Sequence, residues 1–142
     1  MNYSWKKLME DYSYAIEIYP DVIPTLERLK NNYNFIIISN ARKEFIEIQI
    51  EKLDIERYFK RVFSTVSDFN MVKKEGEVYR KVCEEMGIDK SEIIHVGDDY
   101  KFDFLAPRSI GIKAIYLDRK GGKNGDFVIS SLEYLPDLIN RF

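Results

Sequence analysis

The sequence predicts an α/β fold, a three-layer sandwich around a mainly parallel sheet, and three observations carry that prediction. Strand-like segments alternate with segments of helical spacing along the chain, the order that right-handed β-α-β crossovers require. Two strand candidates, Phe35-Ile36-Ile37-Ile38 and Ile93-Ile94-His95-Val96, are largely apolar without alternation, as in strands covered on both faces. Each runs into polar residues, Ser39-Asn40 and Gly97-Asp98-Asp99. Ligands of open α/β sheets gather at the carboxyl ends of strands, where both groups fall.

The elements follow in order. Trp5, Leu8, Met9, Tyr12 and Ile16 share one face at helical spacing. Pro20-Asp21 interrupts that pattern, and a second helix fits Ile23 to Lys30 with Leu26 and Leu29 inward. Asn31-Asn32 marks a turn before the strand Phe35 to Ile38. Helical spacing returns through Phe45, Ile46, Ile48, Gln49 and Leu53. Arg61 to Val66 reads as a short strand, and a helix from Glu75 to Met86 stops at Gly87, which suits a C-cap. Then come the strand Ile93 to Val96, a helix from about Phe102 to Ser109 and the strand Lys113 to Leu117. Gly121-Gly122-Lys123-Asn124-Gly125 is a turn, and a short strand, Phe127 to Ile129, precedes a final helix.

Composition bounds the function. The 142 residues suffice for one domain with a real core, and 45% hydrophobic with 32% charged residues describes a soluble globular chain. A formal net charge of −2 gives no electrostatic reason to expect nucleic acid or an anionic membrane. A single cysteine, Cys83, cannot form an internal disulfide, which points to a reducing cytoplasm. On a helix, and without a histidine nearby in sequence, it reads as an inert core thiol. No stretch is apolar enough for a signal peptide or a bilayer span.

The acidic group Asp98, Asp99 and Asp103 carries the chemistry. Carboxylates crowded at a strand's end repel one another unless a cation or a lysine sits between them, so a magnesium site is the first expectation. The plainer reading of Asp98 and Asp103 is a turn and a helix N-cap pair. Asp99 reads as solvated or as a partner of a ligand more than as a direct ligand. Ser39 reads otherwise as a cap of the next helix, Asn40 as a turn residue and Lys73 as a surface lysine. His95, inside its strand, reads as a packed core histidine.

Taken as an ordered set, these residues resemble the haloacid dehalogenase superfamily of phosphohydrolases. Ile37-Ile38-Ser39-Asn40 looks like its motif II, whose hydroxyl and amide hold phosphate oxygens. Lys73 looks like the motif III lysine, followed by Glu77-Val78-Tyr79 and Gly87-Ile88-Asp89, and Asp98 with Asp103 resembles motif IV. Tyr19-Pro20-Asp21-Val22, Tyr58-Phe59 and Ala106 to Gly111 agree with the family's flanking phrases. A two-component receiver domain uses similar groups, but its acidic pair comes first and its lysine last, the reverse of the order here.

The resemblance implies magnesium as cofactor, with Asp98, Asp99 and Asp103 at the metal, Ser39, Asn40 and Lys73 at the phosphate, and Lys73 as a catalytic cation. It implies a small phosphorylated metabolite as partner, and a core domain over 19–142 preceded by a remnant cap-like helix over 1–18. Two departures matter. Motif III normally reads Lys-Pro, whereas Lys73-Lys74-Glu75 stands here, and we assign Lys73. No Asp-x-Asp-x-Thr/Val segment occurs, so the nucleophile, its acid/base partner and the usual central first strand of the Rossmann-like sheet have no counterpart. The expectation is a phosphatase core that is inactive or weak as this chain alone; the alternative is a binding or regulatory module without turnover. Tyr3, Trp5, Tyr12, Tyr14 and Tyr19 read as packing material, and as an apolar patch they lead us to expect a homo-oligomer or a second chain that supplies the missing strand.

Overall fold

The computed structural model describes residues 18–142, which fall into two compact units divided between Val72 and Lys73. The expected first helix, the aromatic group up to Tyr14 and the 1–18 segment lie outside the described residues, apart from Ile18.

In the first unit, α1 (Val22–Leu29) packs Thr25 and Leu29 inward. The parallel strands β1 (Phe35–Ser39) and β2 (Phe59–Ser64) pair in a register that sets Ser39 opposite Ser64. Between them runs α2 (Lys43–Lys52), which buries Ile46 and Ile48. Phe63, Ile38 and Ile55 complete the core. The strand expected over Arg61 to Val66 starts at Phe59 and ends at Ser64. The Ser64 side chain accepts a hydrogen bond from the Ser67 backbone N–H, which caps the short helix α3 (Thr65–Phe69) and draws Thr65 and Val66 out of the strand.

In the second unit, α4 (Gly76–Met86) buries Val78, Tyr79, Val82 and Cys83. It ends at Gly87, whose φ of 64° is the left-handed conformation that glycine adopts without a Cβ penalty. The strands β3 (Ile94–Gly97), β4 (Lys113–Leu117) and β5 (Val128–Ile129) form a parallel sheet in that order. Ala114 and Ile115 of β4 are buried, as are Phe104, Ile112 and Leu138. Burying each large aliphatic side chain contributes about 1.5–3 kcal/mol. The helix expected from Phe102 begins two residues earlier as a π-helical segment, Tyr100–Leu105, and continues as α5 (Ala106–Ser109). The last helix, α6, spans Leu135–Ile139.

The expected two-sided burial is only partly met. In β1 only Ile38 is buried, and every residue of β3 is partly exposed. Among the described residues each of these strands has one ladder partner, β2 for β1 and β4 for β3. A strand paired on one side is covered less completely than a central one.

Candidate functional site

Each unit builds a polar cluster where its strands end. In the first unit β1 delivers Ser39 and Asn40. The Ser39 hydroxyl oxygen accepts from the Ala41 N–H at 3.1 Å, an interaction that leaves the hydroxyl's own proton to donate elsewhere. Thr65 donates its hydroxyl to Asn40 Oδ1 at 3.3 Å, an interaction that leaves the amide NH2 to donate elsewhere. Beneath them Ser64, fully buried, donates to the Ala41 carbonyl at 2.6 Å and accepts from Ser67 N at 3.0 Å. Asp68 Oδ2 accepts from Ser64 N at 2.8 Å, and Lys43 Nζ donates to Asp68 Oδ1 at 3.1 Å. Ser39 and Asn40 thus present neutral donors on a loop clamped from below, an arrangement suited to the oxygens of an oxyanion.

In the second unit the centre is Asp103, 2% exposed. Its Oδ1 accepts from Lys74 Nζ and lies 2.8 Å from His95 Nε2, while Oδ2 accepts from the Asp99 N–H at 3.0 Å. Burial by itself would raise this carboxyl, but the His95 hydrogen bond and the Lys74 charge outweigh it and bring it down to about 2. Burial pushes His95 below its ordinary value and keeps the ring neutral, so Nε2 donates to the carboxylate. Tyr79 closes the cluster from α4. Its ring stands edge-on to His95 at 4.9 Å between centroids, and its hydroxyl donates to the Phe102 carbonyl at 2.5 Å. Burial foremost, with Asp103 beside it, holds the Tyr79 hydroxyl protonated.

Gly97 makes this packing possible. A Cβ at that position would overlap the Asp103 carboxyl group, so only a residue without a side chain fits. The Gly-Asp pair of the sequence therefore has two separate causes: room for Asp103 at Gly97, and an exposed carboxylate at Asp98.

These contacts bear on two assignments made from the sequence. Lys74, not Lys73, turns inward; Lys73 is exposed, with its ammonium 5.6 Å from the centre of the Phe102 ring. Asp103, expected at the metal, has Lys74 and His95 on Oδ1 and the Asp99 N–H on Oδ2. The lysine relieves the crowding of carboxylates at this carboxyl group. Asp99 is exposed and caps the π-helical segment, its Oδ1 accepting from Phe102 N at 2.8 Å. Among the described residues no three His, Cys, Asp or Glu side chains are grouped to enclose a metal ion. Magnesium needs less than a cage: it retains several waters and takes one or two carboxylates together with substrate phosphates. Asp98 fits that demand, with Asp99 adjacent to it.

His95, Tyr79, Ser64 and Thr65 were not singled out for the site from sequence. The only available signal was the hydroxyl-rich run Ser64-Thr65-Val66-Ser67-Asp68 directly after a strand. Cys83 is buried, and burial raises its thiol, consistent with an inert side chain. Among the described residues no helix is long and apolar enough to cross a membrane.

Residues 2–117 fit the family model described as haloacid dehalogenase-like hydrolase. A Clostridium perfringens protein named as the pyrophosphatase PpaX is 28% identical over 131 residues, which cover 87% of this chain and 60% of that protein. A crystal structure of a HAD phosphatase from Thermococcus onnurineus superposes with a TM-score of 0.87 at 26% identity, over 98% of this chain and 66% of that one. A Bacillus subtilis HAD-hydrolase, YfnB, solved with bound magnesium, shares the fold with a TM-score of 0.82 at 15% identity, over 95% of this chain and 59% of that one. The chain spans between 32% and 60% of the length of the first curated relatives it matches.

Proposed function

The chain belongs to the haloacid dehalogenase-like hydrolase family, and we propose that it carries the core of a magnesium-dependent phosphohydrolase acting on a small phosphorylated metabolite. The carrying observation is the Lys74–Asp103–His95 cluster immediately behind Gly97-Asp98. It fixes a lysine ammonium through a buried carboxylate at the end of β3, where a phosphoryl group's negative charge needs an answering cation. Asp103, ionised at any pH near neutrality, gives the Lys74 ammonium a buried counter-ion. Ser39 and Asn40 supply neutral donors of the kind that bind phosphate oxygens. Asp98, with Asp99 beside it, is the residue that would hold magnesium, and the ion when bound would supply neutralisation of phosphate charge.

The relatives' names support phosphate ester or anhydride hydrolysis in general. The chain contains no Asp-x-Asp-x-Thr/Val segment, so none of its described residues is assigned as the attacking carboxylate. Charge stabilisation without a nucleophile leaves turnover lower by orders of magnitude. The test is hydrolysis of p-nitrophenyl phosphate in magnesium buffer, by the chain alone and after joining it to a family segment bearing that motif. The expected result is little or no turnover by the chain alone and clear turnover by the joined protein, abolished by Asp98→Ala. Turnover by the joined protein that survives both Asp98→Ala and Lys74→Ala would overturn the assignment.

A further inference from the structure

The Gly-rich turn after β4 carries a lysine that the phosphohydrolase reading does not use. Its backbone is already anchored without that side chain. The Gly121 N–H donates to the Asp118 carbonyl at 3.0 Å, and the Lys123 N–H donates to the Asp118 carboxylate at 2.7 Å. Asp118 itself is buried, with 8% exposure. The Lys123 ammonium then lies 3.4 Å from the centre of the Tyr100 ring, a cation–π contact from a residue that remains solvent-exposed. Tyr100 follows Asp98-Asp99 and meets Tyr116 of β4 edge-on at 5.2 Å.

The surroundings of Tyr116 locate that lysine. Tyr116 meets the Tyr100 ring and stands two residues before Asp118 in the chain. The register of β3 and β4 pairs Gly97 with Tyr116, which brings Asp98 and Asp118 out at the same end of the sheet. Lys123 therefore brings an exposed positive charge to the strand end that carries Asp98 and Asp118, over a ring two residues past the carboxylate assigned to magnesium. Its flexible stem needs only a change of rotamer to leave the Tyr100 face and meet an anion.

We propose that Lys123 is a specificity-determining residue that receives a second anionic group of the substrate, so that this site prefers phosphate esters with a carboxylate or further phosphate on the alcohol portion over those with a neutral one. The proposal rests on the phosphohydrolase reading of Asp98 and deepens it. Tyr100 serves as the parking face for the ammonium when no such group is present. An aromatic face holds the lysine more weakly than an ion pair would, which keeps it ready to exchange.

The test compares two probes that share a phosphate and differ in one group: 3-phosphoglycerate, with a carboxylate, and glycerol 3-phosphate, with a hydroxymethyl group instead. Binding of each to the 142-residue chain in magnesium buffer is measured by calorimetry. The expected preference for 3-phosphoglycerate is about tenfold, the size of one charge-assisted contact. Lys123→Met should bring the ratio near one, while Lys123→Arg should keep most of it. Lys120→Met, on the same turn, should leave it intact and so exclude a general effect of net charge. A wild-type ratio near one, or a ratio unchanged in Lys123→Met, overturns the proposal and leaves the phosphohydrolase reading standing if glycerol 3-phosphate binds. Binding of neither probe overturns both.

Discussion

The two strand ends solve the same problem, holding polar groups in place, with opposite physics. In the first unit the loop of Ser39 and Asn40 is clamped mainly by hydroxyl, amide and backbone hydrogen bonds, and its one ion pair, Lys43–Asp68, is partly exposed. In the second unit the clamp is a buried ionised carboxylate shared by Lys74, His95 and a backbone N–H. A neutral clamp leaves a modest, pH-independent penalty when one bond is removed. A buried charged clamp is worth more to keep intact and is sensitive to pH, because removing one partner strands the other charge.

That contrast can be broken most severely at Asp103. Asp103→Asn leaves Lys74 largely buried and without its counter-ion, and should cost about 3–5 kcal/mol. Urea denaturation measures the loss. A change under about 1 kcal/mol would mean that Lys74 simply swings into solvent.

Gly97→Ala attacks the same cluster by shape instead of charge. The added methyl overlaps the Asp103 carboxyl group and should destabilise by about 1–3 kcal/mol. Hydrogen exchange should show increased opening of residues around Asp99 and Phe102, with no matching change near Ser39. Uniform loosening of both units would blur the contrast drawn above.

Acid sharpens the comparison without mutation. Asp103 has a folded value of about 2 against an ordinary 3.8, so its contribution is present above about pH 4 and is lost as pH falls towards 2. The difference amounts to about 2 kcal/mol at most. His95 acts in the same direction at higher pH. Its folded value is lowered, so the unfolded chain takes up the proton first as pH drops below 6.5, and stability falls. Amide exchange measured from pH 7 to pH 3 should therefore show β3 and the π-helical segment loosening more than the Ser39 loop. Equal loosening of both would count against the charged clamp.

Ser64→Ala tests the neutral clamp. It removes the bond to the Ala41 carbonyl and the cap on Ser67 N, and should cost about 1–2 kcal/mol with no dependence on pH between 5 and 8. The smallest effect is expected at Lys73, where Lys73→Ala forfeits an exposed cation–π contact worth about 0.5–1 kcal/mol. A larger loss at Lys73 than at Lys74 would favour the assignment made from sequence.

The sequence by itself determined the order of elements, because periodicity is a local property. Phe35 to Ser39 and Lys113 to Leu117 carry uninterrupted apolar runs, and Gly87 marks a helix end by its backbone freedom alone. The family was legible for the same reason: Ser39-Asn40, a lysine before Glu77, and Gly97-Asp98 stand in a fixed order along the chain. The role of each side chain was not. Whether Lys73 or Lys74 faces inward depends on the angle at which the chain enters α4, and two adjacent lysines look alike in sequence. Asp103 looked like a metal ligand because carboxylates near a strand end share one pattern, whatever neutralises them. Only packing shows that a lysine and a neutral histidine surround it, and that Gly97 lacks a side chain to make room for it. Ser64 and Thr65 act across a strand pair from residue 39 onwards, more than twenty residues away. Contacts at that separation are set by register and burial, which only the folded chain provides.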